Sequence, residues 1–530
     1  MLAKRIGLAL AALIVGTTSS LASSAPAYSA SDFHVHSISV NHELGGATHT
    51  TSQLHLIEQP SSAAQDKYYI SLSPQEAASL SWSEVNAKFG PGLAPEQRTV
   101  LSLRNEGYSI PTGDSPTHLY SVTLPPNFLT QPAEKEERGI VTPNITLAID
   151  LGFHHISEAL PKAVGQKEDA SLRWTGDAVP RSVYAVGKAR VKAKSPSAKI
   201  HSYSMEPPSS EITKSGATIT FGPFERIKPL TVDSAPPPTA QVHHTHEHPI
   251  VALVSLDRHV EVSHWGDSLS FKDNVWLRND GPALKGHFSR VDHQVGTFYG
   301  GRGRNLVLDF GLQLPPKARD AYFVDQIGNV STSNFRSGHP ALGREQDVDT
   351  PSHSLPAHSA SLLQLQPRYP LLGGWNYTFT IGWDLPLGPG GWGKSLGAGK
   401  YSVAVPFWNA FPSSGGGPGG SVPAKRVETR IVLPEGAEVL SVHLPFEDDD
   451  AAEGAATVRY ETHTTYLDTV GRASVVVSKE RVSHRHAGNI YVVYRLSGWQ
   501  HVRKIGAVAG VAAALFAGTM GVRRVGGKKV

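Results

Sequence analysis

The sequence predicts a mainly β protein: two tandem lumenal β-sandwich-like domains followed by a single C-terminal transmembrane helix. Three observations carry that expectation. Short apolar runs of period two recur between Gly- and Pro-rich turns, residues 1 to 30 have the three-part pattern of a secretory leader, and an uncharged apolar stretch lies near the last residue.

Lys4 and Arg5 form a positive start, Ile6 to Val15 an apolar stretch, and small residues continue up to Ala30. Residues 1–27 are therefore read as a signal peptide, with cleavage after Ser24 or Ala27 equally allowed by the small side chains there. Export places the chain beyond the leader in a lumenal space. Residues 28–235 are the expected first β-rich domain. Within it "ATITF" puts Ala217, Ile219 and Phe221 on one face. One short helix is predicted at "SPQEAASLSW", residues 73–82, because Ser73 can cap, Pro74 suits the first turn and Glu76 completes a capping box.

The clearest break is "VDSAPPPTAQVHHTHEHP", residues 232–249, where Pro, Ser, Thr and His replace any apolar period. Residues 236–249 are expected to form a linker. His243, His244, His246 and His248 are metal-ligand types, but a flexible loop offers no partners to orient the rings, so solvated histidines are expected.

Residues 250–500 are the expected second β-rich domain. In "RYPLLGGWNYTFTIGWDLPLG", residues 368–388, Trp375, Tyr377, Phe379, Ile381 and Trp383 alternate with Asn376, Thr378, Thr380, Gly382 and Asp384. The aromatic face should pack inward and Asn376 should face water. Similar runs recur in "TRIVLPEGAEVLSVHL", "ASVVVSKERV" and "NIYVVYRL", where Ile490, Val492, Tyr494 and Leu496 share a face. Two Gly-rich stretches, "GPGGWGKSLGAG" and "SSGGGPGG", are read as loops.

Ile505 to Val522 is free of charge and is bracketed by Arg503, Lys504, Arg523 and Arg524. At about 1.5 Å per residue it spans roughly 27 Å, enough for a transmembrane helix over residues 503–523, with a buried soluble helix as the alternative at this length. Gly506, Gly510, Ala514 and Gly518 recur every fourth residue and line small side chains along one face for packing against other membrane helices. The short tail, residues 524–530, is basic and expected to be cytosolic.

The formal net charge of +3 and the lack of basic patches interleaved with aromatics give no reason to invoke nucleic acid. Cysteine is absent, which removes disulfides, thiolate metal sites and cysteine nucleophiles. "GPGGWGKS", Gly388 to Ser395, fits a phosphate-binding loop by letters, but a Gly-broken, strand-like segment comes next where a helix is required. "GKSLG" lacks the strand–turn–helix context of a nucleophile elbow, and "HELGG" at His42 and "HEHPI" at His246 lack the second histidine of a zinc-protease helix. No catalytic, cofactor or metal residue is assigned. Asn144 in "NIT", Asn329 in "NVS" and Asn376 in "NYT" are glycan acceptor motifs in a segment expected to be lumenal.

Several phrases in order go beyond composition: "SLRWTGD" (171–177), "EVSHWG" (261–266), "LKGHFSR" (284–290), "DQIGNVSTS" (325–333), "PRYPLLGGW" (367–375), "LPEGA" (433–437) and "TYLDTVGR" (465–472). Set just before a terminal membrane helix, they resemble the ribophorin I family, the alpha subunit of the eukaryotic oligosaccharyltransferase complex. The match is dense over residues 170–500 and thinner upstream. The resemblance implies a non-catalytic, type I single-pass subunit in the endoplasmic reticulum membrane, without a cofactor. It would belong to a complex that moves a preassembled oligosaccharide from dolichyl diphosphate to Asn-x-Ser/Thr acceptors. The implied partners are catalytic and accessory subunits and nascent glycoprotein chains, and the implied role is structural and acceptor-presenting. A free lumenal chaperone or cargo receptor is the alternative. A membrane-anchored hydrolase is disfavoured by the missing nucleophile or metal constellation.

Overall fold

A computed structural model describes residues 26, 28–58, 65–89, 99–112, 115–125, 145–298, 305–338, 360–388, 391–409, 411, 422–446, 455–465, 468 and 470–526. Residues 1–25 and 27 of the expected signal peptide and the "SSGGGPGG" stretch lie outside the described residues. The chain is mainly β with an apolar helix at its C-terminal end, as the periodicity predicts. Its buried apolar residues gather into two clusters, one running from Phe33 to Val242 and the other from Leu253 to Leu496.

The N-terminal half is built on an eight-stranded sheet with Val186–Lys194, His34–Glu43, Thr48–Glu58 and Ile145–His154 at its centre. His34–Glu43 pairs in parallel with Val186–Lys194 and antiparallel with Thr48–Glu58. A four-stranded sheet contributes Trp174, Met205, Ala240 and Val242 to the same core, and a three-stranded sheet contributes Tyr68 and Leu119. The short helix is present as Pro74–Ser79 with the Ser73–Glu76 capping box closed. It ends earlier than predicted because Leu80–Phe89 joins the large sheet against Ile145–His154.

The predicted linker is corrected. Thr239–His246 is a strand, hydrogen-bonded to Ala170–Asp177 on one side and Ile200–Glu206 on the other. Alternation survives in it, with Ala240, Val242, His244 and His246 buried, because a neutral imidazole packs in a sheet where composition suggests a loop. Only Glu247 to Ile250 connect it to the next strand.

In the C-terminal half a seven-stranded sheet runs Arg319–Asp325, Asn376–Pro386, Ser268–Asn279, Val251–Ser263, Ala424–Glu435, Arg472–Val482, Thr457–His463. A four-stranded sheet of Gly393–Gly397, Lys400–Pro406, Asn489–Arg495 and Glu438–His443 supplies residues such as Val403 and Tyr494 to the shared core. The aromatic alternation holds: Tyr377, Phe379, Ile381 and Trp383 are buried, while Asn376 is exposed. "GKSLG" is corrected from loop to strand. It folds back at Ala398-Gly399, where both residues have positive φ, as a tight hairpin turn requires.

The two halves touch at one end of the large C-terminal sheet. The Arg481 guanidinium donates to Ala78 O at 2.6 Å, Ser81 Oγ donates to Arg481 O at 2.6 Å, and Arg485 lies 4.9 Å over the Trp82 ring and 3.2 Å from Glu84. Ala163–Val164 pairs in parallel with Ala283–Leu284. These contacts lie near Ala424, Leu277 and Val482, whereas the chain leaves for the terminal helix past Glu435 and Arg472, at the opposite end of the same strands. The terminal helix Gly498–Gly526 begins before the predicted boundary at 503, and Ile505–Arg524 is exposed and long and apolar enough to cross a membrane.

Candidate functional site

Asn329 and Asn376 are far apart in sequence but are held on one patch. Register brings Asp325 opposite Phe379, and Asn376 opens the strand two residues before Thr378. Asp325 starts a tight reversal in which its carboxylate accepts the N–H groups of Ile327 at 2.9 Å and Gly328 at 3.1 Å. Arg368 pairs with that carboxylate and donates to Asn329 O at 2.9 Å, and the adjacent Tyr369 hydroxyl donates to Asn376 O at 2.9 Å. The rings of Tyr369 and Tyr377 meet edge-on at 5.4 Å, closing the patch from Asn329 to Asn376.

The electrostatics reflect that packing. Burial alone would raise the Asp325 carboxyl, but hydrogen bonds from Arg368, Ile327 and Gly328 outweigh it and hold the group below the usual carboxylate range. Burial, then the Asp325 charge, push the Tyr377 phenol up, so it stays a donor, 3.3 Å from the carboxylate. Both acceptor side chains are exposed. Asn144 lies outside the described residues. The anchors Arg368, Tyr369 and Asp325 are absent from the sequence expectation, although the Asp-x-x-Gly reversal "DQIG" is a legible signal for one of them.

Gly506, Gly510, Ala514 and Gly518 all lie on the exposed part of the terminal helix, and a Cβ added at any of the three glycines meets nothing within 4 Å. Each four-residue step advances about 6 Å and turns about 40°, so the stripe winds slowly around the helix. It is open to a neighbour over its full length.

The remaining motifs do not assemble. Lys394 and Ser395 sit on an exposed strand arm with no helix after them. His244 and His246 are buried, His243 bonds to Leu160 O at 2.9 Å, and His248 is exposed. Among the described residues no group of three or more His, Cys, Asp or Glu is placed to hold a metal ion. A cavity of about 490 Å³ opens between the halves near Gln166, Phe288 and His293, and its Lys167 and Asp292 are paired with each other at 2.8 Å.

The family model described as Ribophorin I matches residues 34–523, reaching well upstream of the segment on which the sequence resemblance is dense. Three relatives extend the match. Dolichyl-diphosphooligosaccharide–protein glycosyltransferase subunit 1B of Arabidopsis thaliana is 30% identical over 75% of this chain and 73% of its own length. Subunit 1A of the same plant is 28% identical over 79% of this chain and 58% of its own. Subunit 1 of Caenorhabditis elegans is 25% identical over 84% of this chain and 64% of its own. The chain thus spans less than two thirds of the length of two of these relatives.

Proposed function

Because this chain belongs to the ribophorin I family, we propose that it is a non-catalytic subunit of an oligosaccharyltransferase, the assembly that carries a preformed oligosaccharide from dolichyl diphosphate to Asn-x-Ser/Thr in nascent proteins. The observation that carries this reading is the family match over residues 34–523, together with the subunit names of the relatives. The chain is a single-pass protein of the endoplasmic reticulum membrane, with its β-rich bulk in the lumen and its basic tail in the cytosol. A single spanning helix cannot wall a pocket for a polyisoprenoid carrier, so the reaction centre belongs to a partner subunit. This chain's part is architectural: it docks through the small-residue stripe and presents a rigid β body beside the centre, where acceptor chains arrive.

The exposed Asn329 and Asn376, with Asn144, are themselves acceptors, and the glycans on Asn329 and Asn376 cover the end of the sheet away from the helix. Replacing Gly510 and Ala514 with Leu adds bulk to the stripe and should release the chain from its partners in mild detergent, because close approach of helices depends on small residues. The deciding experiment is purification of the tagged full chain in digitonin, with the eluate then assayed for oligosaccharide transfer to an Asn-x-Thr peptide. Transfer activity with a co-purifying polytopic partner is the expected result. A lone, inactive chain from an otherwise active preparation would replace this reading with that of a free lumenal chaperone.

A further inference from the structure

The last strand of the C-terminal half feeds the apolar helix almost without a connector. Asn489–Arg495 ends and Gly498 begins the helix, so only Leu496 and Ser497 intervene. Two residues reach at most about 7 Å. Leu496 is itself buried, and its N–H donates to Gly399 O at 2.8 Å. From Gly498 to Ile505 the helix rises about 10 Å, comparable to the headgroup layer of one leaflet, which is about 5–8 Å thick. The β body therefore has no means of standing clear of the bilayer.

Three chain reversals gather around that first helical turn. Gly436, with φ 77°, lies against the Gln500 side chain. The turn His264–Asp267 comes directly after Val251–Ser263, and its His264 ring sits 4.6 Å from Tyr401 and bonds to Tyr494 Oη at 2.6 Å. Tyr401 belongs to the hairpin that carries Leu396. A cavity of about 390 Å³ is walled jointly by Trp265, Pro434, Gln500 and Ile505, so the Trp265 turn lies level with the first residue of the apolar span. Trp265 is 71% exposed, Trp499 70% and Leu396 50%. Lys394 and Lys400 are exposed nearby, and exposed Arg495 is paired with Glu438 at 3.3 Å. Trp is the side chain favoured at the boundary between water and hydrocarbon, and flanking cations meet lipid phosphates there.

We propose that this end of the C-terminal half is a lipid-docking surface, with Trp265 and Leu396 entering the headgroup layer of the leaflet that the helix crosses and Trp499 fixing the helix at the same depth. The proposal rests on the reading that the helix spans the membrane. It fixes the orientation of the whole chain. The strand Asn376–Pro386 pairs Pro386 with Ser268 beside the Trp265 turn and Asn376 with Arg278 at its other end, about 33 Å away. Both glycan acceptors then stand far above the bilayer.

The absence of cysteine makes the test direct. Trp265→Cys, Leu396→Cys, Ala514→Cys and Ile327→Cys are each placed in the full chain, labelled with an environment-sensitive fluorophore and reconstituted in phosphatidylcholine vesicles, with circular dichroism as the check on folding. Lipids carrying a spin label at a shallow or a deep position act as quenchers. Shallow quenching several-fold stronger at 265 and 396 than at 327, with deep quenching at 514, is the expected pattern. Deep quenching at 514 with 265 and 396 behaving like 327 would overturn the docking while leaving the span intact. Loss of quenching at 514 as well would remove the span and the docking together. In the digitonin-purified complex, a labelled residue 265 shielded from aqueous iodide but indifferent to lipid quenchers would assign the surface to a protein partner and overturn the proposal.

Discussion

Arg258 is fully buried at the centre of the C-terminal core. Its guanidinium holds both oxygens of buried Asp273, at 2.7 and 2.6 Å, donates to Pro406 O and Asn409 Oδ1, and lies over the rings of Phe271 and Trp383. Arg258→Ala strands the Asp273 charge in an apolar site and should cost about 3–5 kcal/mol, read as a lowered urea midpoint. Replacing the pair together by Met and Leu should recover most of that loss. The N-terminal core carries a pH dependence instead. Burial lowers His42, His244 and His246 to about 4, and burial together with the neighbouring His42 and His244 lowers His49 well below its ordinary value. Unfolded imidazoles titrate near about 6.5. Between about pH 6.5 and 4 the unfolded chain takes up protons that the folded one refuses, so stability is intact above about 6.5 and lost on acidification, by up to about 1.4 kcal/mol per pH unit for each ring. Urea midpoints at pH 7 and pH 5 check this, and equal values would mean that the rings are protonated in the fold.

The hairpin turn at Ala398-Gly399 shows what a single element stores. Ala398 has φ 51°, a region that costs an L-residue about 1–2 kcal/mol, so Ala398→Gly should raise the urea midpoint of the C-terminal half, the gain being offset in part by greater chain entropy. An unchanged or lower midpoint would refute that. The same hairpin marks the limit of reading elements from sequence. Asn376–Pro386 is legible because its two faces differ in polarity residue by residue, and the Ser73 helix because its cap is purely local. Gly393–Gly397 is hidden because its arm is exposed and carries no apolar period, and Thr239–His246 because buried neutral imidazoles look polar in composition. The parallel pairing of His34–Glu43 with Val186–Lys194 joins segments about 150 residues apart and leaves no local trace. The shared patch of Asn329 and Asn376 is beyond local reading for the same reason: each motif is visible, but Arg368 and Tyr369 bring them together only after the sheet has chosen its register.

At the scale of the whole chain, the described residues join the two halves chiefly at two places, with His155 Nε2 also 3.5 Å from the Asp280 carboxylate. One is the pairing of Ala163–Val164 with Ala283–Leu284, backed by Gln166 against Ser289 at 3.1 and 2.9 Å. The other is the cluster of Trp82, Glu84, Arg481 and Arg485. The connector Glu247 to Ile250 is short, and Asp280 N–H donates to Ile250 O at 2.6 Å, which removes most of its freedom. Both contacts lie at the end of the sheet away from the terminal helix, so the N-terminal half packs at the same end as Asn329 and Asn376. Trp82→Ala with Arg481→Ala and Arg485→Glu removes a stacked cation, carbonyl hydrogen bonds and an exposed ion pair, together worth on the order of 2 kcal/mol. The C-terminal core should keep its unfolding midpoint, whereas that of the N-terminal core should fall slightly, because the Trp82 indole also covers Gly152 on the neighbouring strand. The distance between spin labels at Val232→Cys and Ile327→Cys, single and narrow in the parent chain, should broaden in this variant. A distribution that stayed narrow would mean that the strand pairing and the short connector hold the halves unaided, and that the arginines serve only the local turn at Arg481, whose φ of 52° is otherwise unfavourable for a side chain of that size.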